Sequence, residues 1–444
     1  MLQSLNQHYI APIRSFNRAA RLFLVMMLIN GLVLSGWYLF FNFYMLESGF
    51  SLEFLGLVNS LPSAAGLIFG LVVGRISDRI GRKLALILGI GLTSLFMLAQ
   101  VTFHQPFVIA ASAFLTGVFN MLFIISQAPL MMKLSNPKNR TMLFSLNFGL
   151  QTISGAVGNL FAGQLPAIFG TLLNIQARSA TAYQAVLIVT VLLGTTSLIP
   201  IWMMKEPRTL QAESLKHNDE KPVQAAALAG HEDPRRDKLS PALVALIIKM
   251  SIPQVLVGFG AAILLPYLNV FYKARFNIND SLLGLLFGLG SLMIGIACLF
   301  GPWLSTRLGG KVRAVVAVQS GSLVFLLMTG FAPFLWLSSI GYLLRSGLMN
   351  MSAPLYSAFC MEHTPEQHQG FVNSILNITW NIGWAVGPFI SGIVQERYGF
   401  TPLFITTAVL YFMSTALVWV FFKNMDNTKV ASQAVLQSPE YIKE

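Results

Sequence analysis

Residues 74–83 read GRISDRIGRK, one acid and four bases set between two long apolar runs. The run before this turn, 54–73, and the run after it, 84–103, each hold the ~20 residues that a helix needs to cross a bilayer's hydrocarbon core. The decapeptide is therefore a tight turn at a membrane face. Any protein with several spans can carry a basic turn there, because Lys and Arg concentrate in cytoplasmic loops. The order of residues is more particular. Gly74 permits close approach by a neighbouring helix, and Asp78 is placed to cap or oppose the positive N-terminus of another helix.

Working outward, the apolar pattern repeats along the chain: 22–46, 54–73, 84–103, 107–132, 142–169, 182–204, 247–272, 282–304, 314–331, 334–359, 371–394 and 403–422. Twelve runs in a chain of 444 residues that is 55% hydrophobic and only 10% charged exclude an ordinary soluble domain, where about a quarter of residues are charged. With the first residues placed in the cytoplasm, the translocated loops hold only Arg178, Lys273, Arg275 and Arg397, so both termini are expected to be cytoplasmic in a multi-pass protein of the cell membrane. The net charge of +12 then reads as topology and attraction to the anionic lipid bilayer, not as nucleic-acid binding. The first twenty residues lack the apolar core of a cleaved leader, and the first span is expected to direct insertion. Cys298 and Cys360 have neither the spacing of a disulfide framework nor that of a metal site, and no cofactor is implied.

In this setting Gly74, Asp78, Arg79, Gly81, Arg82 and Lys83 resemble the signature loop between the second and third helices of the major facilitator superfamily. The resemblance implies an all-α membrane fold of two pseudo-symmetric six-helix bundles. It also implies a latch role: the loop faces helix eleven, holding one arrangement of the halves and releasing the other. On this reading the chain divides into a tail (1–21), a first bundle (22–204), a cytoplasmic linker (205–240), a second bundle (241–423) and a second tail (424–444). The linker is rich in charge and contains Pro207, Pro222 and Pro234.

Duplication is visible directly. A shift of 228 lays Leu55, Gly56 and Leu57 on Leu283, Gly284 and Leu285, and Arg79, Gly81 and Lys83 on Arg307, Gly309 and Lys311. A shift of 229 lays Ile153, Ala156, Val157, Gly158 and Gly163 on Ile382, Ala385, Val386, Gly387 and Gly392; a shift of 230 lays Gly117, Asn120 and Met121 on Gly347, Asn350 and Met351. Such internal repeats are how transporter folds are built, with the site between them near the midplane. The second loop departs from the first, with Thr306 in place of Asp78 and Pro302 in place of Gly74, so gating at that face is expected to be asymmetric.

Ionisable groups inside a membrane are costly and mark functional sites by default. The acids all map to loops, tails or span ends, with Glu47, Glu53, Glu362 and Glu396 nearest the spans. Lys249 reads as a snorkelling rim residue. Arg345 stands at the centre of the tenth span. It either holds helices together or anchors an anionic group of a solute. Helical spacing puts Tyr342, Arg345, Met349, Ser352 and Tyr356 on one face. The eleventh span offers Asn373, Asn377, Trp380, Asn381 and Trp384; the first Asn30, Leu34, Trp37 and Phe41; the fourth Thr116, Asn120, Phe123 and Gln127; the fifth Asn147, Gln151 and Ser154; the seventh Gln254. Polar faces avoid lipid, so each stripe either bonds a neighbouring helix or lines a chamber. The resemblance favours the chamber, since these are the family's lining helices.

Gly383, Gly387, Pro388 and Gly392 are similar to an antiporter motif of the same family, but that motif belongs in the fifth helix, where Ser154, Gly158, Asn159 and Gly163 lack the proline. The expected activity is transport of a small or medium amphipathic organic solute, anionic or zwitterionic, by alternating access, by a monomer, with H+ or Na+ left open as coupling ion. The rival readings are multidrug efflux on the same fold and a receptor or scaffold that does not transport. No nucleophile, metal cluster or acid pair lies within the spans, which argues against an enzyme.

Overall fold

A computed structural model describes residues 16–136, 139–204, 240–365 and 368–425, and among them the chain is helical without a strand. The expected linker thus lies outside the described residues except for Ser240, as do most of both tails. Twelve spans follow in order. The first three are Arg18–Glu47, Leu52–Ile80 and Arg82–Thr102; the fourth and fifth are Pro106–Leu134 and Arg140–Ala162, the fifth continued by Leu165–Leu172. The sixth is Ala180–Thr195 with Leu198–Met203, and the seventh is Pro241–Leu264, a 3₁₀ turn Leu265–Tyr267, and Leu268–Phe276. The last five are Asp280–Arg307, Lys311–Phe331, Leu335–Glu362, Gln369–Tyr398 and Thr401–Phe422.

The sequence dictates the ends and breaks. Side chains of Asn17, Ser51, Ser179, Ser240 and Asn279 each accept a backbone N–H three residues on, satisfying donors that a helix start leaves open. Gly81 sits at φ +89°, a left-handed conformation that glycine adopts without strain, so spans two and three turn within one residue. The single runs expected at 142–169, 182–204 and 247–272 are each interrupted. Pro166 and Pro266 stand at the first positions of new helical segments, where a missing N–H costs nothing, and Pro200 lies in the short Leu198–Met203 helix.

Among the described residues, nine of these spans are long and apolar enough to cross a membrane by length and composition alone. The other three, Arg140–Ala162, Leu335–Glu362 and Gln369–Tyr398, are spans five, ten and eleven, whose expected polar stripes lower their hydropathy.

Packing groups the described residues into two compact units. The first draws on Met1–Lys221, Ala262–Leu292 and Trp384–Phe400, and the second on Pro222–Ala261, Met293–Gly383 and Thr401–Glu444. In the first unit, Phe23, Met26, Leu86, Ile90, Phe123, Leu130 and Leu143 belong to one buried core. In the second, Met250, Val315, Val318, Leu355, Phe359, Leu376 and Phe422 do the same. Small residues bring the helices close. A methyl group on Gly31 would fall 2.8 Å from Ser154 Cβ, and one on Gly89 would fall 2.8 Å from the Phe123 backbone nitrogen.

Candidate functional site

The 74–83 turn is fastened inside the first unit. Lys83 Nζ donates to the carbonyls of Met204 (2.6 Å) and Trp202 (3.2 Å), placing a cation where the sixth span ends and its carbonyls are unsatisfied. Arg82 pairs with Asp78 four residues back on the continuing chain and donates to Ser77 Oγ at 2.7 Å, and Ser77 bonds Ser126 of span four at 2.7 Å. Asp78 itself is 51% exposed. Arg79 is exposed, and among the described residues a methyl group on Gly74 would meet nothing within 4 Å. In the second unit the repeated loop is tied differently: Lys311 pairs with Glu362 at the end of span ten, Arg307 lies over the Trp303 ring, and Gly309 reproduces the left-handed turn at φ +70°.

The tenth-span stripe finds its partners within its own unit. Tyr342, Arg345, Met349, Ser352 and Tyr356 are all buried inside the second unit. Arg345 is 3% exposed, and its Nη2 donates to the Tyr411 hydroxyl of span twelve at 2.9 Å. Among the described residues its Nε has no hydrogen-bond partner. Ser352 accepts from Gln319 at 3.4 Å, and Tyr356 Oη donates to the Met250 carbonyl at 2.7 Å. A buried hydroxyl or amide must find such partners, and here spans seven, nine and twelve supply them. Asn350, which repeats Asn120, is exposed on span ten, as are Ser357 and Glu362 nearer its end.

The other stripes divide. Asn30 and Asn120 converge with Thr93 and Ser94 on a cavity of about 40 Å³ between spans one, three, four and six, large enough for water but not for an organic solute. Thr93 Oγ1 is buried there without a partner among the described residues. Trp37 is buried and stacks on Phe41 at 4.6 Å. Asn147 and Gln151 bond each other at 3.4 Å along their own helix. Asn377 and Asn381 each donate to the carbonyl four residues back, leaving the exposed Asn377 and half-buried Asn381 on the open face of their helix. Gln127, Gln254, Trp380 and Trp384 are half-buried.

The densest arrangement lies at the opposite end of the second span, a 29-residue helix about 40 Å long. At this far end of the first unit, segments of spans seven, eight and eleven pack on spans one, two, five and six. The contacts follow the duplication. Gly56 of span two meets Pro388 and Gly392 of span eleven, where a methyl group would fall 3.1 Å from Phe389 Cα; its repeat Gly284 of span eight meets Asn159 and Gly163 of span five. Gly158 packs on Leu32 of span one and its repeat Gly387 on Ala262 of span seven. Ser60 Oγ accepts the Phe389 N–H at 2.9 Å, and a Glu396 carboxylate oxygen accepts the Glu53 N–H at 3.0 Å, capping the start of span two. Between spans one and seven, Asn42 and Asn269 reach across: Asn42 Nδ2 donates to the Pro266 carbonyl at 2.6 Å, and Asn269 Nδ2 donates to the Leu39 carbonyl at 2.9 Å.

A charged cluster completes this end. Lys273 pairs with Asp280 and donates to the Tyr183 hydroxyl, and its Nζ lies 3.9 Å from the Phe43 ring centroid and 4.8 Å from that of Tyr183. Tyr183 also donates to Asp280 at 3.1 Å. Arg178 donates to Asn277 Oδ1 at 2.7 Å and to the Ile278 carbonyl at 3.1 Å. Lys273 was expected in a translocated loop. It is helical, 15% exposed in its side chain and paired with a carboxylate 8% exposed, because the Leu268–Phe276 helix folds it under span one.

Comparison with known proteins bears on this arrangement. The sequence profile described as Major Facilitator Superfamily matches residues 23–388 and 254–440. Sugar efflux transporter A of Dickeya chrysanthemi is 27% identical over 188 residues, 41% of this chain and 47% of that protein. Multidrug resistance protein MdtG of Proteus mirabilis is 29% identical over 192 residues, 42% of this chain and 46% of that protein. The chain thus spans about half the length of the curated relatives it matches. Among solved structures, an inward-facing, occupied bacterial homologue of the human lysosomal transporter Spinster superposes with a TM-score of 0.72 at 12% identity, covering 90% of this chain and 95% of that one. A bacterial homologue of the iron transporter ferroportin in its inward-facing state gives a TM-score of 0.68 at 15% identity, covering 90% and 98%.

Proposed function

The chain belongs to the Major Facilitator Superfamily, and from that premise we propose that it moves a small or medium amphipathic organic solute across the cell membrane by alternating access, with both termini cytoplasmic and the far end facing outward. The observation that carries this reading is the far-end packing itself. Two glycine contacts, span two on span eleven and span eight on span five, are made by repeat-related residues. Among the described residues, Asp78 at the other end of span two pairs with Arg82 of its own turn.

Export of neutral amphipathic compounds fits best. The partly exposed polar groups of spans four, five, seven and eleven (Gln127, Gln151, Gln254, Asn377 and Asn381) are uncharged amides, and the relatives at 27% and 29% identity are named for efflux and for drug resistance. An anionic solute is supported by one feature, the Arg345 guanidinium, which is buried without a facing acid among the described residues. Purified protein in liposomes, offered a neutral lipophilic dye, a labelled disaccharide and fluorescein, tests both readings. Flux of the dye or the sugar above that of empty liposomes is expected. Flux of fluorescein alone, abolished by Arg345→Gln, favours the anion. No flux of any probe or of a wider solute panel rejects transport.

A further inference from the structure

Asn42 and Asn269 lie 227 positions apart, one residue out of step with the local repeat shift of 228, and each reaches a carbonyl of the other half. The two carbonyls, Leu39 and Pro266, are also 227 apart, so the pair of bonds maps onto itself when the halves are exchanged. Asn42 is 4% exposed and Asn269 1%. A third bond joins the side chains, from Asn42 Nδ2 to Asn269 Oδ1 at 3.1 Å. Each amide is held in one orientation: Asn59 of span two donates to Asn42 Oδ1 at 3.2 Å, and the Val270 N–H donates to Asn269 Oδ1 at 2.9 Å. Both Nδ2 groups therefore point across the seam. The seventh span supplies its acceptor where the 3₁₀ turn Leu265–Tyr267 interrupts the helix.

This chemistry suits a contact that must open and close repeatedly. A buried amide bonded to carbonyls exchanges those partners for water at a small net cost, whereas a buried ion pair leaves two charges to be desolvated at each closing. A glycine seam gives close packing but no directional bond. The clasp adds register, since a slip of one residue along either helix leaves both donors without their acceptors. We propose that Asn42 and Asn269 are gating residues, a reciprocal clasp that holds the far end shut and sets the ratio of closed to open molecules. The proposal rests on the alternating-access reading above.

The test is a distance measurement on the full chain in lipid nanodiscs. After Cys298→Ser and Cys360→Ala, spin labels are placed through His104→Cys and Ala274→Cys, exposed positions at the far end of the first and second halves. The parent shows chiefly the short distance. Asn42→Leu and Asn269→Leu, similar in size but unable to donate, each lower the closed-to-open ratio about tenfold, the worth of one buried hydrogen bond. The double variant falls short of the product of the two, because both singles break the Asn42–Asn269 bond. Melting temperature is recorded alongside. If either leucine variant fails to fold, the serine replacements serve instead, with the same expected direction.

Single variants that melt earlier but keep the short distance overturn the clasp, since the asparagines then only support the fold. A wedge, Gly56→Leu with Gly284→Leu, separates this failure from the larger one. If the wedge lengthens the distance and the asparagine variants do not, the gate exists and the clasp is wrong. If no variant lengthens it, both the clasp and alternating access at this end are overturned.

Discussion

At the far end of the first unit, Glu396 from the eleventh span caps the start of the second, while at the other end of that same helix Asp78 turns back on Arg82. The far end has backbone against backbone at Gly56, Gly163, Gly284 and Gly392, reciprocal amide bonds and a buried ion pair. The Asp78 end has charge and exposure. The difference shows two ways of holding helices together. Close packing of small residues is all-or-none, because a backbone cannot step aside. A surface ion pair is worth little by itself and is readily exchanged for another partner.

The sharpest way to break the comparison is at Lys273. Its ammonium is enclosed by Asp280, Phe43 and Tyr183. Lys273→Met leaves the Asp280 carboxylate buried without its counter-charge, a loss expected to cost about 3–5 kcal/mol. Melting in detergent checks it: the single variant falls steeply, and Lys273→Met with Asp280→Asn recovers most of the loss, since no charge is then stranded.

Next in size is the glycine seam. A side chain at Gly392 would meet the Leu52 carbonyl group and come within 3.2 Å of Glu53 Cα, both backbone of span two. Gly392→Leu is expected to cost about 1–3 kcal/mol, as overpacking does, and to lengthen the far-end distance between labels at 104 and 274. An unchanged distance would mean that the seam yields more easily than its geometry implies.

Arg345 comes third and bears on what the second unit contributes. Arg345→Met removes the bond to Tyr411 but also removes a buried charge, so the expected destabilisation is modest, about 1–2 kcal/mol. The same shift should appear with and without solute. A variant that melts like the parent until solute is added, and then fails to be stabilised, would return Arg345 to the binding site.

Much of this was legible in the chain. Twelve apolar runs, the Gly81 turn and the duplication all follow from spacing, and the shifts of 228 and 229 already paired Gly56 with Gly284 and Gly163 with Gly392. What the shifts could not say is which repeat partner touches which, because Gly56 meets Gly392 and Gly284 meets Gly163, each in the opposite half. The asparagine clasp lay one residue out of step: a shift of 228 lays Phe43 and Tyr44 on Phe271 and Tyr272 but puts Asn42 on Val270. The surroundings of the tenth-span stripe were hidden for a different reason. Periodicity places residues on one face without saying whether that face meets a chamber or a neighbour, and Tyr356, Ser352 and Arg345 found partners on spans seven, nine and twelve. Lys273 and Asp280 were hidden because groups near a span end read as solvated until a neighbouring helix covers them.

The smallest effect on stability is expected at Asp78, and it is the most informative about the other end. Asp78 is half exposed and paired four residues along with Arg82, so Asp78→Asn is worth only about 0.3–0.5 kcal/mol to the fold, the size of an i,i+4 pair. Its melting temperature should match the parent's within error. If the turn acts as a latch, transport must still fall, by about tenfold or more, because the carboxylate is then needed in the arrangement where this end closes and not in the one where it faces Arg82. Glu396 offers the control. Glu396→Gln weakens the cap on span two in the structure at hand, so it should alter the far-end distance while Asp78→Asn leaves it unchanged. Equal effects of the two substitutions on that distance would erase the division between the two ends of span two.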